Sequence, residues 1–161
     1  MKEPTIVHHT FVIERHYPVP PERVFTAFSD PAQKRRWHAE GASHELDHFE
    51  TDFRVGGIER AEVRLGPNTP LPGMRLSRES RYEDIVPKKR IVVASSMALE
   101  DKRFSVSLET FELLPSDEGT DLIFTHQAAF FEGADGPQMR QDGWKKLLEK
   151  LAEVVSQSPN A

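Results

Sequence analysis

The sequence predicts an α+β fold in which a curved, seven-stranded antiparallel sheet wraps a long C-terminal helix. Three observations predict it. The stretch Asp135–Val155 carries apolar residues at helical spacing, six alternating segments separated by turn signals lie between His44 and Phe131, and a further alternating segment, Ile6–Tyr17, opens the chain. An amphipathic helix needs an apolar partner and a sheet needs one covered face, so each satisfies the other.

In the last stretch Trp144, Leu147, Leu148, Leu151, Val154 and Val155 form one stripe, while Lys145, Lys146, Glu149, Lys150 and Glu153 cover the opposite face. Asp135 or Gly136 caps the start, Pro137 occupies the first turn, and Gln138 lies at capping-box distance from Asp135. Gly143 is the anomaly. A mid-helix glycine costs about 1 kcal/mol relative to alanine, so either another backbone approaches there or the first turns stay loose.

Along the chain, Val7, Phe11, Ile13 and Tyr17 alternate with mostly polar residues and predict the first strand. Pro18, Pro20 and Pro21 break it, and Glu22–Ser29 places Val24, Phe25 and Phe28 on one face of a short helix. Asp30-Pro31-Ala32-Gln33 starts a second short helix that runs to Trp37. Six strands follow, approximately His44–Arg54, Ile58–Leu65, Met74–Val86, Arg90–Met97, Arg103–Leu114 and Thr120–Phe131, divided by glycine, proline and asparagine turns. Their short connections favour antiparallel neighbours.

Composition narrows the function classes. The 161 residues fit one domain, 1–161. A net charge of −5, with basic residues scattered among acidic ones, argues against nucleic acid as a partner. The absence of cysteine removes disulfides, thiolate nucleophiles and cysteine metal sites. No apolar run approaches the ~20 residues of a membrane span, so the reading is a cytoplasmic protein without a membrane partner.

The wording of the chain adds a resemblance. PPERVFTAFSDPAQKRRWH, DFRVGG, YEDIVPKKRIVV, GTDLIFTHQAAFF and the GW of DGWKKLLEKL resemble, in order, signatures of the Bet v 1-like, START-like (SRPBCC) superfamily. Within it they look like the bacterial proteins related to the C-terminal domain of the Hsp90 ATPase activator. The resemblance implies a helix-grip fold, its sheet wrapped round the last helix about a cavity. Trp37 matches the family wording, whereas His38 stands where a second Trp is common. Glu59 and Ala61 replace bulky apolar residues, and Glu109 stands where an apolar residue is usual. The insertion Gly66–Gly73, with three prolines, predicts a rigid loop at one mouth of the cavity.

No metal site is expected. His44 and His48 share a strand face but lie roughly 13 Å apart, too far to hold one ion with His38 without a bend. His126 shares its parity with Leu122 and Phe124, and relatives carry a histidine there; it is either a hydrogen-bonded core residue or a polar group at the cavity. Glu59 and Glu109 supply acid/base material if burial raises one pKa, provided register turns them inward. No G-x-S-x-G elbow is present, and Gly56-Gly57 lacks the lysine and helix start of a phosphate loop. No cofactor is expected and no catalytic constellation is complete, which weighs against an enzyme.

The functional expectation is a small hydrophobic or aromatic ligand held between the last helix and the sheet. Its expected walls are the aromatics Trp37, Phe53, Phe124, Phe130 and Trp144 with Ala61 and Leu147, its polar groups His38, Glu59, Glu109 and His126, and its mouth Met139 and Gly143. The alternatives are a protein-interaction module like the Hsp90 activator, with a chaperone or a second copy of the chain as partner, and a cyclase- or hydrolase-type enzyme using the carboxylates and His126. The activator reading is the weaker for a chain with no room for the activator's separate N-terminal domain.

Overall fold

Alternation decides the first element: β1 (Val7–Tyr17) buries Phe11, Ile13 and Tyr17, with Arg15 half-buried on the same face, and leaves Val12, Glu14 and His16 outward. The computed structural model describes residues 5–157. After β1 come α1 (Pro21–Ser29) and α2 (Pro31–Lys34), the latter continuing as a π-turn over Arg35–Ala39. Asp30 caps α2, its Oδ1 accepting from the Ala32 N–H at 3.1 Å and its Oδ2 from the Gln33 side chain at 2.9 Å. The π-turn is closed by the Glu40 N–H donating to Arg35 O at 3.0 Å. It turns Trp37 inward, where the indole N–H meets Ala27 O at 2.9 Å.

The remaining strands are β2 (His44–Thr51), β3 (Ile58–Leu65), β4 (Arg75–Val86), β5 (Arg90–Leu99), β6 (Lys102–Ser116) and β7 (Gly119–Phe130). They form one seven-stranded sheet in the order β1-β7-β6-β5-β4-β3-β2, antiparallel throughout. Only the chain's first and last strand-forming stretches are brought together across the fold; every other pair consists of sequence neighbours. Bulges in β2, β4 and between β5 and β6 bend the sheet.

β2 ends at Thr51, short of the expected Arg54, because the chain folds tightly before β3: the Gly57 N–H donates to Arg54 O at 2.8 Å. A Cβ on Gly57 would lie 1.9 Å from Asp52 O, so only glycine fits. This turn fixes the register that brings Glu59 opposite Ser80 on the inner face.

The last helix, α3 (Pro137–Ser156), lies on that inner face and completes a helix-grip α+β fold. Trp144, Leu148, Leu151, Val154 and Val155 are buried against Phe28, Ile91, Phe111, Leu122 and Phe124, with Leu147 partly buried beside them. Of the two expected caps, Gly136 is the one used, without the capping box. Gly136, at φ 86°, is the N-cap with no side-chain bond, while Asp135 binds Arg140 and Gln138 binds Asp142. Tyr17 donates to Leu148 O at 3.0 Å, and Arg23 donates to Val154 O at 2.8 Å, placing a cation on the negative end of the helix. Among the described residues no helix is long and apolar enough to cross a membrane.

Candidate functional site

The inner face of the sheet changes character along its length. Under the second half of α3 its positions are Ile13, Ile91, Phe111, Leu113, Leu122 and Phe124, all buried in the core. Toward the first turns of the helix a row across four strands reads Ser80, Ser95, Ser107 and Ala128, each opposite the next. All four are buried. Short side chains thus line the sheet at this end, where bulky ones line it beneath the second half of the helix.

A polar network lies on that row. Glu59, 1% exposed, accepts from Lys34 Nζ at 3.0 Å and from the Tyr82 hydroxyl at 2.8 Å through Oε1, and pairs with Arg78 at 2.9 Å through Oε2. Arg78 also reaches His38 Nδ1 at 3.3 Å and donates to Ser80 Oγ at 3.3 Å. Ser80 lies 2.7 Å from Ser95, which donates to Glu109 Oε1 at 3.1 Å. Each hydroxyl can therefore receive from one side and donate to the other, so one line of hydrogen bonds runs from Arg78 to Glu109.

The environment drives the two carboxyls apart. Burial alone would raise the pKa of Glu59, but Lys34 and Arg78 outweigh it and hold the carboxyl well below the usual carboxylate range. Lys34 is desolvated too, yet Glu59 keeps its pKa above the ordinary value. Burial raises the pKa of Glu109, with Arg78 and Ser95 opposing. His38 is pushed well down by burial and by Arg78 and Lys34, so its Nδ1 is an acceptor for Arg78 rather than a cation beside Glu59. The two carboxylates are consequently not a shared-proton pair: Glu59 is a fixed anion, and Glu109 is the titratable group.

His126 stands directly opposite Glu109 on β7. It is 1% exposed, stacks on Phe11 at 4.6 Å between ring centroids, and faces Trp144 at 6.5 Å. Neither ring nitrogen has a hydrogen-bond partner. Burial first, and Arg140 second, lower its pKa to about 4, so the ring is neutral near pH 7. At the end of the row Arg140, one turn before Trp144, is held by both oxygens of Asp135 at 2.8 and 2.9 Å and donates to Ser105 at 2.8 Å above the Phe130 ring.

Several residues expected at the site meet here: Trp37 stacks on His38 at 4.9 Å, His38 lies 5.3 Å from Trp144, and Phe124 lies 4.4 Å from Trp144. Ala61 sits opposite Arg78, and Phe130 lies under Arg140. Phe53 is placed elsewhere, against Phe25 and Tyr82. Gly143 and Met139 are corrections. Gly143 faces solvent, and a Cβ there would meet nothing within 4 Å; Met139 is 59% exposed. Trp144 takes the inward direction, and its neighbour, about 100° round the helix, cannot share it. The Gly66–Gly73 loop closes on itself through Gly73 N–H to Leu65 O at 2.8 Å, with Leu71 exposed.

His44 and His48 also separate, His44 bonding Ala39 O at 2.7 Å and His48 lying 3.6 Å from Glu50. Sequence reasoning missed Lys34, Arg78 and Arg140. Arg78 carried a readable signal, since it shares the inward parity of Ser80 and Tyr82. Two depressions of about 320 and 390 Å³ lie along the sheet, the first bounded by His8, Thr10, Val106, Leu108 and Gln127 together with Ser107 and Ala128 of the row, and the second by Arg60, Glu62, Ser77 and Arg103 together with Ala61 and Arg78.

The sequence model of the family described as activator of Hsp90 ATPase homolog 1-like protein (AHSA1) matches residues 18–156. Among solved structures, an uncharacterized protein from Rhizobium leguminosarum is similar at 35% identity and a TM-score of 0.87, over 95% of this chain and 97% of that one. Mll3558 from Rhizobium loti is 42% identical with a TM-score of 0.81, over 92% of this chain and 98% of that one. An AHSA1-like protein from Aeromonas hydrophila, at 19% identity and a TM-score of 0.66 over 92% of each chain, shares the fold. No curated protein matches the sequence. With most of its length matched by the family and two relatives above 30% identity, the chain belongs to the AHSA1-like family of helix-grip proteins.

Proposed function

We propose that the protein binds a small, largely apolar or aromatic molecule between the first turns of α3 and the inner face of the sheet. The observation that carries this reading is His126, buried among Phe11, Phe124 and Trp144 with both ring nitrogens unpartnered. Leaving such a group unsatisfied costs about 1–3 kcal/mol, a cost that a ligand's polar atom relieves. The adjoining row of serine and alanine presents only short side chains, and the aromatic rings supply an apolar wall.

The test is a titration with fatty alcohols, flavonoids and polycyclic aromatics, followed by tryptophan fluorescence, since Trp144 lies in the site and Trp37 stacks on His38 beside it. A ligand at a hundred times its dissociation constant adds about 2.7 kcal/mol of stability, visible as a thermal shift. If no compound changes either signal, the reading is wrong.

A second reading follows from the family description, which names an activator of the Hsp90 ATPase. Stoichiometric recovery of Hsp90 with the tagged protein would favour a co-chaperone role, and absence of recovery would remove it.

A further inference from the structure

We propose that β1 pairs edge to edge, antiparallel, with β1 of a second copy of the chain, the two-fold axis passing at Thr10. β1 and β2 are the two edges of the sheet, and they are built differently. β2 is guarded against pairing: it carries Glu45, Asp47 and Glu50, and a bulge interrupts it between Leu46 and His48. β1 has neither device over most of its length. Thr5–Ile13 contains no Lys, Arg, Asp or Glu, and the pairing of β1 with β7 runs without a bulge. Ile6, Val7 and Val12, all on or beside this edge, are 38%, 54% and 52% exposed.

The hydrogen-bond pattern fixes which backbone groups are open. The Phe131 N–H donates to Phe104 O at 2.8 Å, so odd-numbered residues along β7 turn their backbone groups to β6 and even-numbered ones to β1. His126 and Phe130 stand opposite Phe11 and Val7, so the odd-numbered residues of β1 bond β7. The N–H and C=O of His8, Thr10 and Val12 therefore point away from the sheet, and among the described residues no hydrogen bond reaches them. The series ends at Glu14, whose carbonyl on the same side accepts from the Arg15 guanidinium at 2.8 Å.

A second β1 matches these groups in kind. With Thr10 on the axis, Thr10 faces its own copy and His8 faces Val12 of the other chain, and each opposed pair exchanges both of its N–H···O bonds. Glu14 then falls opposite Ile6 rather than another carboxylate, whereas β2 paired with its own copy would gather Glu45, Asp47 and Glu50 of both chains. Val7 and Val12 gain a covered flank. Seven residues at 3.3 Å each and a sheet about 10 Å thick give a contact plane of roughly 230 Å² per copy, well under the ~800 Å² per partner of a stable complex. The dimer is therefore weak and concentration-dependent.

The test is sedimentation of the full chain from about 10 µM to about 1 mM, with amide hydrogen exchange at both ends of that range. Dimer should form as concentration rises, and exchange at His8, Thr10 and Val12 should slow while the β2 edge is unchanged. Thr10 is exposed, so Thr10→Lys and Thr10→Glu should fold; each sets like charges against each other across the axis and should weaken association roughly fivefold or more. An equimolar mixture of the two should restore it, since each lysine then faces a glutamate. A chain still monomeric at about 1 mM, association unmoved by either variant, or a mixture that fails to re-associate would overturn the pairing. If the chain stays monomeric and the same amides respond to an unrelated extended peptide, the edge docks peptides and not a second copy. The exchange measurement on the unaltered protein decides the matter even if a variant unfolds.

Discussion

Glu59 and His126 occupy similar depths on the inner face but answer burial in opposite ways. Glu59 is ionised because Lys34, Arg78 and Tyr82 surround it; removing its charge leaves two cations buried together. Glu59→Gln should therefore cost about 3–5 kcal/mol in urea unfolding. A loss below about 1 kcal/mol would show that the network is not held by this carboxylate. Because the folded-state pKa of Glu59 is depressed, its stabilisation is present above the ordinary carboxylate value and is lost as the pH falls below it. Glu109 works the other way, since its raised pKa favours the fold at low pH and that contribution disappears as the pH rises. His126 has its pKa lowered from 6.5 to about 4, so the folded state resists the proton that the unfolded chain accepts. Stability should fall as the pH drops from 6.5 toward 4, with His38 adding in the same direction. His126→Phe, which keeps the stack on Phe11 and removes both unpartnered nitrogens, should raise the stability of the ligand-free protein by about 1–3 kcal/mol and flatten that acid limb. A destabilised variant with an unchanged pH profile would mean the imidazole is already satisfied.

At the scale of elements, α3 divides into an anchoring half and a half that roofs the polar row. From Leu148 onward it is fixed by core packing, by Tyr17 on Leu148 O and by Arg23 on Val154 O. Its first turns instead rest on Arg140 and Trp144 and contain Gly143, whose exposed Cα meets no neighbour. Nothing in the packing requires glycine there, so Gly143→Ala should stabilise the protein by about 1 kcal/mol through helix propensity. Thermal unfolding that shows no gain would indicate that the first turns are not helical in the unaltered protein. Much of this architecture was legible. Period-two alternation and turn residues marked every strand, and the stripe from Trp144 to Val155 marked the helix, because both patterns are set by one buried face. The end of β2 was not legible, since a contact between Gly57 and the Asp52 carbonyl depends on the path of the folded backbone. The choice of Gly136 over Asp135 as the cap of α3 was not legible either, because Asp135 prefers the Arg140 guanidinium to the helix N-terminus.

Over the whole molecule, the fold and family follow from local patterns, whereas the site depends on pairings between distant residues. Glu59 meets Lys34 across 25 positions and Arg78 across one strand pair, and His126 meets Glu109 through the β6–β7 register. Inward direction for Glu59 and Glu109 could be listed as one register of two, but their partners could not be named before the register was known. Buried carboxylates imply cations, and Arg78 had the right parity; Lys34 did not stand out from Arg35 and Arg36 beside it. The sheet and α3 together cover a polar row at one end of an aromatic core, and the two depressions along the sheet are bounded in part by Ser107, Ala128, Ala61 and Arg78 of that region. The most direct test of the interior site is NMR of the protein labelled at His126 and Trp144, titrated with a ligand that produces a thermal shift. Interior binding predicts saturable changes at the His126 ring nitrogens and the Trp144 indole, with little change at Val106 and Leu108 outside. Changes confined to Val106, Leu108 and Gln127, with His126 and Trp144 silent, would contradict it.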